Sequence, residues 1–102
     1  MRRAEVWWGL MGTKTRPLVL VSRDAHIDVR RLVIAAPVTS RIRNIDSEVP
    51  LGPEEGLPKS CVINTSSIEL VSKTRLVRKI CALSPSKRDA LDAALRFSLG
   101  LD

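Results

Sequence analysis

Two stretches decide the fold: Arg16-Pro17-Leu18-Val19-Leu20-Val21-Ser22-Arg23-Asp24, and Leu32-Val33-Ile34-Ala35-Ala36-Pro37-Val38-Thr39-Ser40. Each is a short, nearly continuous apolar run with a polar residue at its end, the pattern of a buried β-strand. Paired antiparallel, they bring the start of the first beside the end of the second. The Arg16 guanidinium and the Thr39 hydroxyl then share one rim of a small sheet. In a chain of net charge +6, such a rim suits a phosphodiester.

Upstream, Glu5 to Trp8 reads as a first short strand, and Gly9 to Thr15 as a loop with glycines at Gly9 and Gly12. Arg16 precedes a proline, which pushes its backbone to an extended conformation, and Pro17 suits a strand start. Leu18 to Arg23 is the second strand, Asp24 to Asp28 a polar connection, and Arg31 to Thr39 the third strand. Pro37 suggests a bulge or an edge there. Arg41 to Asn44 reads as a loop, Ser47 to Leu51 as a short strand, Gly52 to Pro58 as turns and Cys61 to Thr65 as a strand. Ser66 to Arg75 is ambiguous: Ile68 to Val71 could pair, and Ser72 to Arg75 resembles one helical turn. Leu76 to Leu83 is the last strand. Ser84 is a helix N-cap with Pro85 behind it, and Gly100 is a C-terminal stop. Leu91, Ala94, Leu95, Ser98 and Leu99 fall on one face of that helix. Short strands, tight turns and one terminal helix imply a mainly β fold: a small, strongly bent barrel with a C-terminal helix.

At 102 residues and 44% hydrophobic content, the chain is sized for one domain spanning residues 1–102. No apolar stretch approaches the roughly 20 residues of a membrane span, and no signal core follows Arg2-Arg3, so a cytoplasmic location is expected. Cys61 and Cys81 lie in apolar segments and read as reduced, buried thiols. Two cysteines and one histidine make a poor zinc set, so neither metal nor other cofactor is expected. Basic residues outnumber acidic ones 17 to 11, and 12 of the 17 are arginines, which fork onto phosphate oxygens. The balance favours a nucleic acid or an acidic protein as partner. Three aromatics allow little base stacking, and Trp7 and Trp8 cannot both point inward along a regular strand. One of them must face outward or into a partner. His26, the only histidine, is the obvious base by its chemistry, but it lies at the far end of the second strand from Arg16.

Five segments in order resemble the MazF/PemK family of toxin endoribonucleases: Arg2 to Trp8, the Arg16 run, Val33 to Arg43, Gly56 to Ile63, and Leu83-Ser84-Pro85 with its helix. The resemblance implies an SH3-like barrel of the MazF, Kid and CcdB kind, and a homodimer. It implies a metal-independent, sequence-specific endoribonuclease acting on single-stranded RNA and leaving 2′,3′-cyclic phosphate and 5′-hydroxyl ends. It also implies a cognate acidic, MazE-like antitoxin. Arg16 and Thr39 match the family's catalytic arginine and threonine, with Arg16 read as the phosphate clamp and as a candidate general acid. On the residues alone, Arg16 reads more readily as a strand-edge arginine in a surface ion pair, and Thr39 as a strand-end threonine. Arg41 and Arg43, on one side of an extended stretch, are expected to contact flanking phosphates, with Lys14 and Ser67 completing the RNA-binding set. Two departures stand out. The Gly9–Thr15 segment is shorter than the family's loop, and Ser66-Ser67 replace its glutamate-glutamine pair before Ile68. Alternatives on the same barrel are a toxin that binds a protein target such as DNA gyrase, and a non-catalytic RNA-binding barrel.

Overall fold

The two apolar runs become the centre of the sheet in the computed structural model, which describes residues 1–102. They are β2 (Lys14–Leu20) and β3 (Leu32–Thr39), paired antiparallel as Leu18↔Pro37, Val19↔Ala36 and Leu20↔Ala35. Their unbroken apolar character follows from burial on both faces. Val19, Ala36 and Val38 belong to a core of 13 buried residues, while Leu18, Leu20, Val33 and Ala35 belong to a second core of 7 on the opposite face.

β1 (Glu5–Met11) pairs with β2 from Val6↔Val19 to Met11↔Lys14. The expected Gly9–Thr15 loop is therefore a hairpin whose turn is only Gly12-Thr13. Gly12 has φ of +66° and Thr13 is not in the left-handed region, the pattern of a II′ turn, which accepts the twist of the strands it joins. The second strand accordingly runs from Lys14 to Leu20, earlier at both ends than its apolar residues suggest.

Asp24 to Asp28 is not a plain connection but most of a short helix, α1 (Asp24–Val29). Asp24 accepts a hydrogen bond from the Arg3 backbone N–H at 2.6 Å, and Ile27 is 1% exposed in the second core. Its three apolar residues, Ala25, Ile27 and Val29, alternate rather than follow a helical period, and only Ile27 is buried, so the docking of Ile27 decides the conformation.

Beyond β3 come β4 (Glu48–Leu51), β5 (Cys61–Asn64), β6 (Glu69–Ser72), β7 (Leu76–Ala82) and α2 (Pro85–Leu99). β5 and β6 lie along the same edge of β3, interrupted by a 3-10 turn at Thr65–Ser67. β6 and β7 are joined by another 3-10 turn, Lys73–Arg75, which resolves the ambiguous segment as both a strand and a helical turn. Because β6 pairs with β3 and β7 with β1, the sheet order β4-β5-β3-β2-β1-β7 curls into an incomplete barrel. Pro37 is thus in a central strand rather than at an edge. It stands at the last β2–β3 pair and opposite the β5–β6 interruption, where a missing donor does least harm.

α2 closes the first core. The Ser84 hydroxyl accepts from the Lys87 N–H at 3.2 Å. Gly100, at φ of +68°, ends the helix with the Leu101 N–H on the Arg96 carbonyl. Leu91 and Ala94 are buried, and burial of one leucine is worth about 1.5–3 kcal/mol. Ser98 faces inward as expected and hydrogen-bonds to Thr65, but Leu99 is 54% exposed. The two tryptophans face opposite sides of β1, both half-buried, so one of them faces outward as expected. Trp7 packs on the second core and donates its indole N–H to Glu5 at 3.0 Å, while Trp8 turns into a cavity on the other side.

Candidate active site at the end of β2 and β3

The β2–β3 ladder stops at Leu18↔Pro37. Continuing the same register by two residues sets Arg16 across from Thr39, as an antiparallel pair requires. Pro17 and Pro37 flank the point where pairing ends, and neither can donate a ladder hydrogen bond. The strands part there, and a cavity of about 360 Å³ opens between them.

Four segments line that cavity. Arg16 and Pro17 come from the start of β2, and Val38, Thr39 and Ser40 from the end of β3. Trp8 comes from β1, where it is registered opposite Pro17. The fourth is the connection into β5, Leu57, Pro58 and Lys59, together with Cys61. Leu57 and Cys61 are buried in the first core, so the segment between them is held at both ends against the cavity.

Two cations, Arg16 and Lys59, therefore face one space, and no carboxylate lines it. Arg16 takes part in none of the chain's three ion pairs, which use Arg2, Arg3 and Lys79. The strand-edge ion pair that the residue alone suggests does not form. The Thr39 hydroxyl accepts from the Arg41 backbone N–H at 3.2 Å, which leaves its own proton free to donate. Burial pushes the Cys61 thiol above its usual range, and the negative charge of Glu55 pushes it further, against the opposing charge of Lys59. Cys81 is half-buried and shifted upward first by burial and then by Glu55, against Lys79. Both cysteines are free. No group of three histidine, cysteine, aspartate or glutamate side chains is gathered to hold a metal ion.

The remaining sequence candidates lie outside the cavity. Lys14 is exposed beside the hairpin turn, two residues before Arg16 on the same strand. Arg41 and Arg43 follow Thr39 directly and are exposed, in a segment that pairs with no strand. The Glu48 carboxylate accepts from the N–H groups of both Arg43 and Asn44, at 2.9 and 3.0 Å, and Asn44 is left-handed at φ of +56°. Ser67 ends the Thr65–Ser67 turn, where its hydroxyl accepts from the Asn64 amide at 3.2 Å. His26, on α1, lines a different cavity with Ser22, Arg30 and Ile34. Sequence reasoning missed Lys59 as a site residue. Its only signal was position: it follows Leu57-Pro58, between a turn-rich segment and a buried strand.

Comparison with known proteins gives one answer throughout. The family described as PemK-like, MazF-like toxin of type II toxin-antitoxin system matches residues 2–99. The chain is 37% identical over 99 residues to the probable endoribonuclease MazF5 of Mycobacterium tuberculosis, with 95% of this chain and 91% of that protein covered. It is 32% identical over 101 residues to the probable endoribonuclease MazF2 of the same organism, with 98% and 99% covered. Among solved structures, an endoribonuclease in complex with its cognate antitoxin, from a mycobacterial species, superposes with a TM-score of 0.90 at 26% identity, covering 100% of this chain and 97% of that one. A family match over nearly the whole length, with two relatives above 30% identity, places this chain among the PemK-like, MazF-like toxins of type II toxin–antitoxin systems.

Proposed function

We propose that the protein is an endoribonuclease toxin that cuts single-stranded RNA at the cavity shared by Arg16 and Thr39. One observation carries the reading: a guanidinium without a carboxylate partner and a hydroxyl with a free proton line one cavity at the end of the central strand pair. Transesterification of RNA asks for that combination. The 2′-hydroxyl attacks the adjacent phosphorus, charge accumulates on the phosphoryl oxygens, and the 5′-oxygen leaves. Arg16 clamps the charged oxygens with its fork of donors, and Thr39 donates a further hydrogen bond. The products are a 2′,3′-cyclic phosphate and a 5′-hydroxyl, and these steps require no metal.

Lys14, Arg41 and Arg43 carry the RNA strand beyond the cavity by phosphate contacts, and Ser67 stands on a separate turn as a further contact. An acidic antitoxin segment binds over the same cations and so blocks RNA. The protein acts as a homodimer. Support for self-association comes from the outer face of β3 and β6, where Ile34 is registered opposite Leu70 and both are exposed beside Leu32. The test is incubation with mixed RNA in excess EDTA, followed by chemical mapping of the ends. Cleavage that persists and leaves cyclic phosphates is expected. Activity lost to chelator and restored by magnesium overturns the mechanism.

A further inference from the structure

The proposed reaction leaves one chemical need unassigned. When the P–O5′ bond breaks, the departing oxygen must take a proton. Arg16 is a poor source, because a guanidinium stays protonated in proteins. Thr39 and Ser40 offer alkyl hydroxyls, which donate hydrogen bonds but do not give up their protons readily. Cys61 is only 6% exposed and presents almost no surface to a bound strand. His26 lines a different cavity. What remains on the cavity wall is Lys59, whose ammonium can lose a proton and regain it from solvent.

The local structure suits that use. Lys59 follows Pro58, whose ring fixes the backbone, and lies between the buried anchors Leu57 and Cys61. Most of the other lysines are engaged elsewhere: Lys79 pairs with Glu5, and the ammonium groups of Lys73 and Lys87 donate to the carbonyls of Ile27 and Pro50. Lys59 has no such partner and is exposed.

We propose that Lys59 is the general acid of this site, protonating the departing 5′-oxygen. The proposal rests on the endoribonuclease reading above. In the step, the 2′-oxygen forms its bond to phosphorus and the P–O5′ bond breaks. The proton of the 2′-hydroxyl passes to water, an ammonium proton of Lys59 passes to O5′, and the resulting amine is reprotonated from solvent.

The experiment compares two RNA oligonucleotides carrying the cleavage site mapped in mixed RNA. One has the ordinary 5′-oxygen, and the other has a bridging sulfur in its place, which leaves as a thiolate without needing a proton. On the ordinary RNA, single-turnover cleavage by Lys59→Ala is expected to slow by roughly 100-fold or more. Lys59→Arg keeps the charge and is expected to remain slow. On the sulfur-bridged RNA, both variants are expected to cut at the wild-type rate. A loss of equal size on the two substrates overturns the proposal and makes Lys59 a phosphate contact only. Full activity of Lys59→Arg on the ordinary RNA overturns it as well, and Lys59→Arg also serves if the alanine variant fails to fold. Failure of the wild-type protein to cut any RNA overturns the parent reading instead.

Discussion

Replacing Thr39 by valine tests the site most sharply, because the structure gives its hydroxyl two separable tasks. The side chain is half-buried at the end of β3, and valine preserves its shape. The first task is donation to the phosphoryl group. Loss of one preorganised donor costs about 2.7–4 kcal/mol at the transition state, or 10²- to 10³-fold in rate. The second is acceptance from the Arg41 N–H at 3.2 Å, which fixes the first residue of the arginine-bearing loop. An intramolecular hydrogen bond contributes about 0.5–1.5 kcal/mol, so loosening this one lowers RNA affinity by roughly 2- to 12-fold. Thr39→Val should therefore lose much in turnover and a little in binding, and Thr39→Ser, which keeps donor and acceptor, should lose little of either. Turnover is read by single-turnover cleavage at saturating protein, and affinity with an RNA blocked by a 2′-O-methyl group at the cleavage position. A folded Thr39→Val protein that cuts at the wild-type rate removes the hydroxyl from the chemistry. A Thr39→Ser protein as slow as Thr39→Val shows that the methyl group matters, not the hydroxyl.

Four other outcomes are expected. Arg16→Ala should abolish cleavage without lowering the melting temperature, since Arg16 has no ion-pair partner to lose, and Arg16→Lys should restore little; wild-type rates in either variant would displace Arg16. Arg41→Ala and Arg43→Ala should each flatten the salt dependence of binding to non-cleavable RNA by about one phosphate contact, so unchanged slopes in both would move the RNA path elsewhere. Glu5 is held below the ordinary carboxylate range: burial alone would raise it, but hydrogen bonds from the Trp7 indole, the Lys79 ammonium and the Arg2 N–H, with the Lys79 charge, outweigh burial. Its stabilisation is present above the unfolded value and is lost as pH falls through the lowered one, so Glu5→Gln should be less stable than wild type near neutrality and converge with it in acid; a gap between the two that is constant with pH would contradict this. An acidic antitoxin segment should compete with RNA for Arg16→Ala protein, and undiminished RNA binding at saturating antitoxin would exclude overlap of the two surfaces.

The central strands were legible because burial on both faces leaves them almost wholly apolar, and the cap and stop of α2 because Ser84-Pro85 and Gly100 are local chemistry. What escaped was set by contacts distant in sequence. α1 exists because Ile27 docks on the second core with Leu18, Leu20 and Val33, while the alternation of Ala25, Ile27 and Val29 in Asp24–Val29 carries no helical period. The Gly12-Thr13 hairpin hid inside a segment with two glycines, of which only Gly12 makes the turn; Gly9 is in the strand, where an added Cβ would fall 2.5 Å from Leu18 Cδ1. Arg16 and Thr39 could be placed on one rim because both end apolar runs, and antiparallel pairing does the rest. Lys59 could not be placed, because its position depends on Leu57 entering the core 21 residues after Ala36, a contact that no motif near Lys59 encodes.

The site lies where the sheet stops obeying its own pairing rule. A continuous β2–β3 ladder would place Arg16 and Thr39 side by side on a closed surface, with backbone donors and acceptors spent on each other. Pro17, which has no N–H to offer across to Val38, ends the ladder two residues early, so the strands separate while the paired residues below keep the two ends in register. Rigidity comes from Leu18, Val19 and Leu20, each no more than 1% exposed, immediately beneath the opening. The opposite wall is supplied by Pro58 and Lys59, held by Leu57 and Cys61. A phosphodiester entering that space meets donors already positioned by the core, so little reorganisation is left for the reaction step. On this account a substitution that restores the ladder should damage catalysis more than stability. Pro17→Val supplies the donor missing where the β2–β3 ladder stops, together with a residue suited to strands. It should raise the melting temperature or leave it unchanged while slowing cleavage, and a variant that is both fully active and better paired would show that the parting of the strands is incidental.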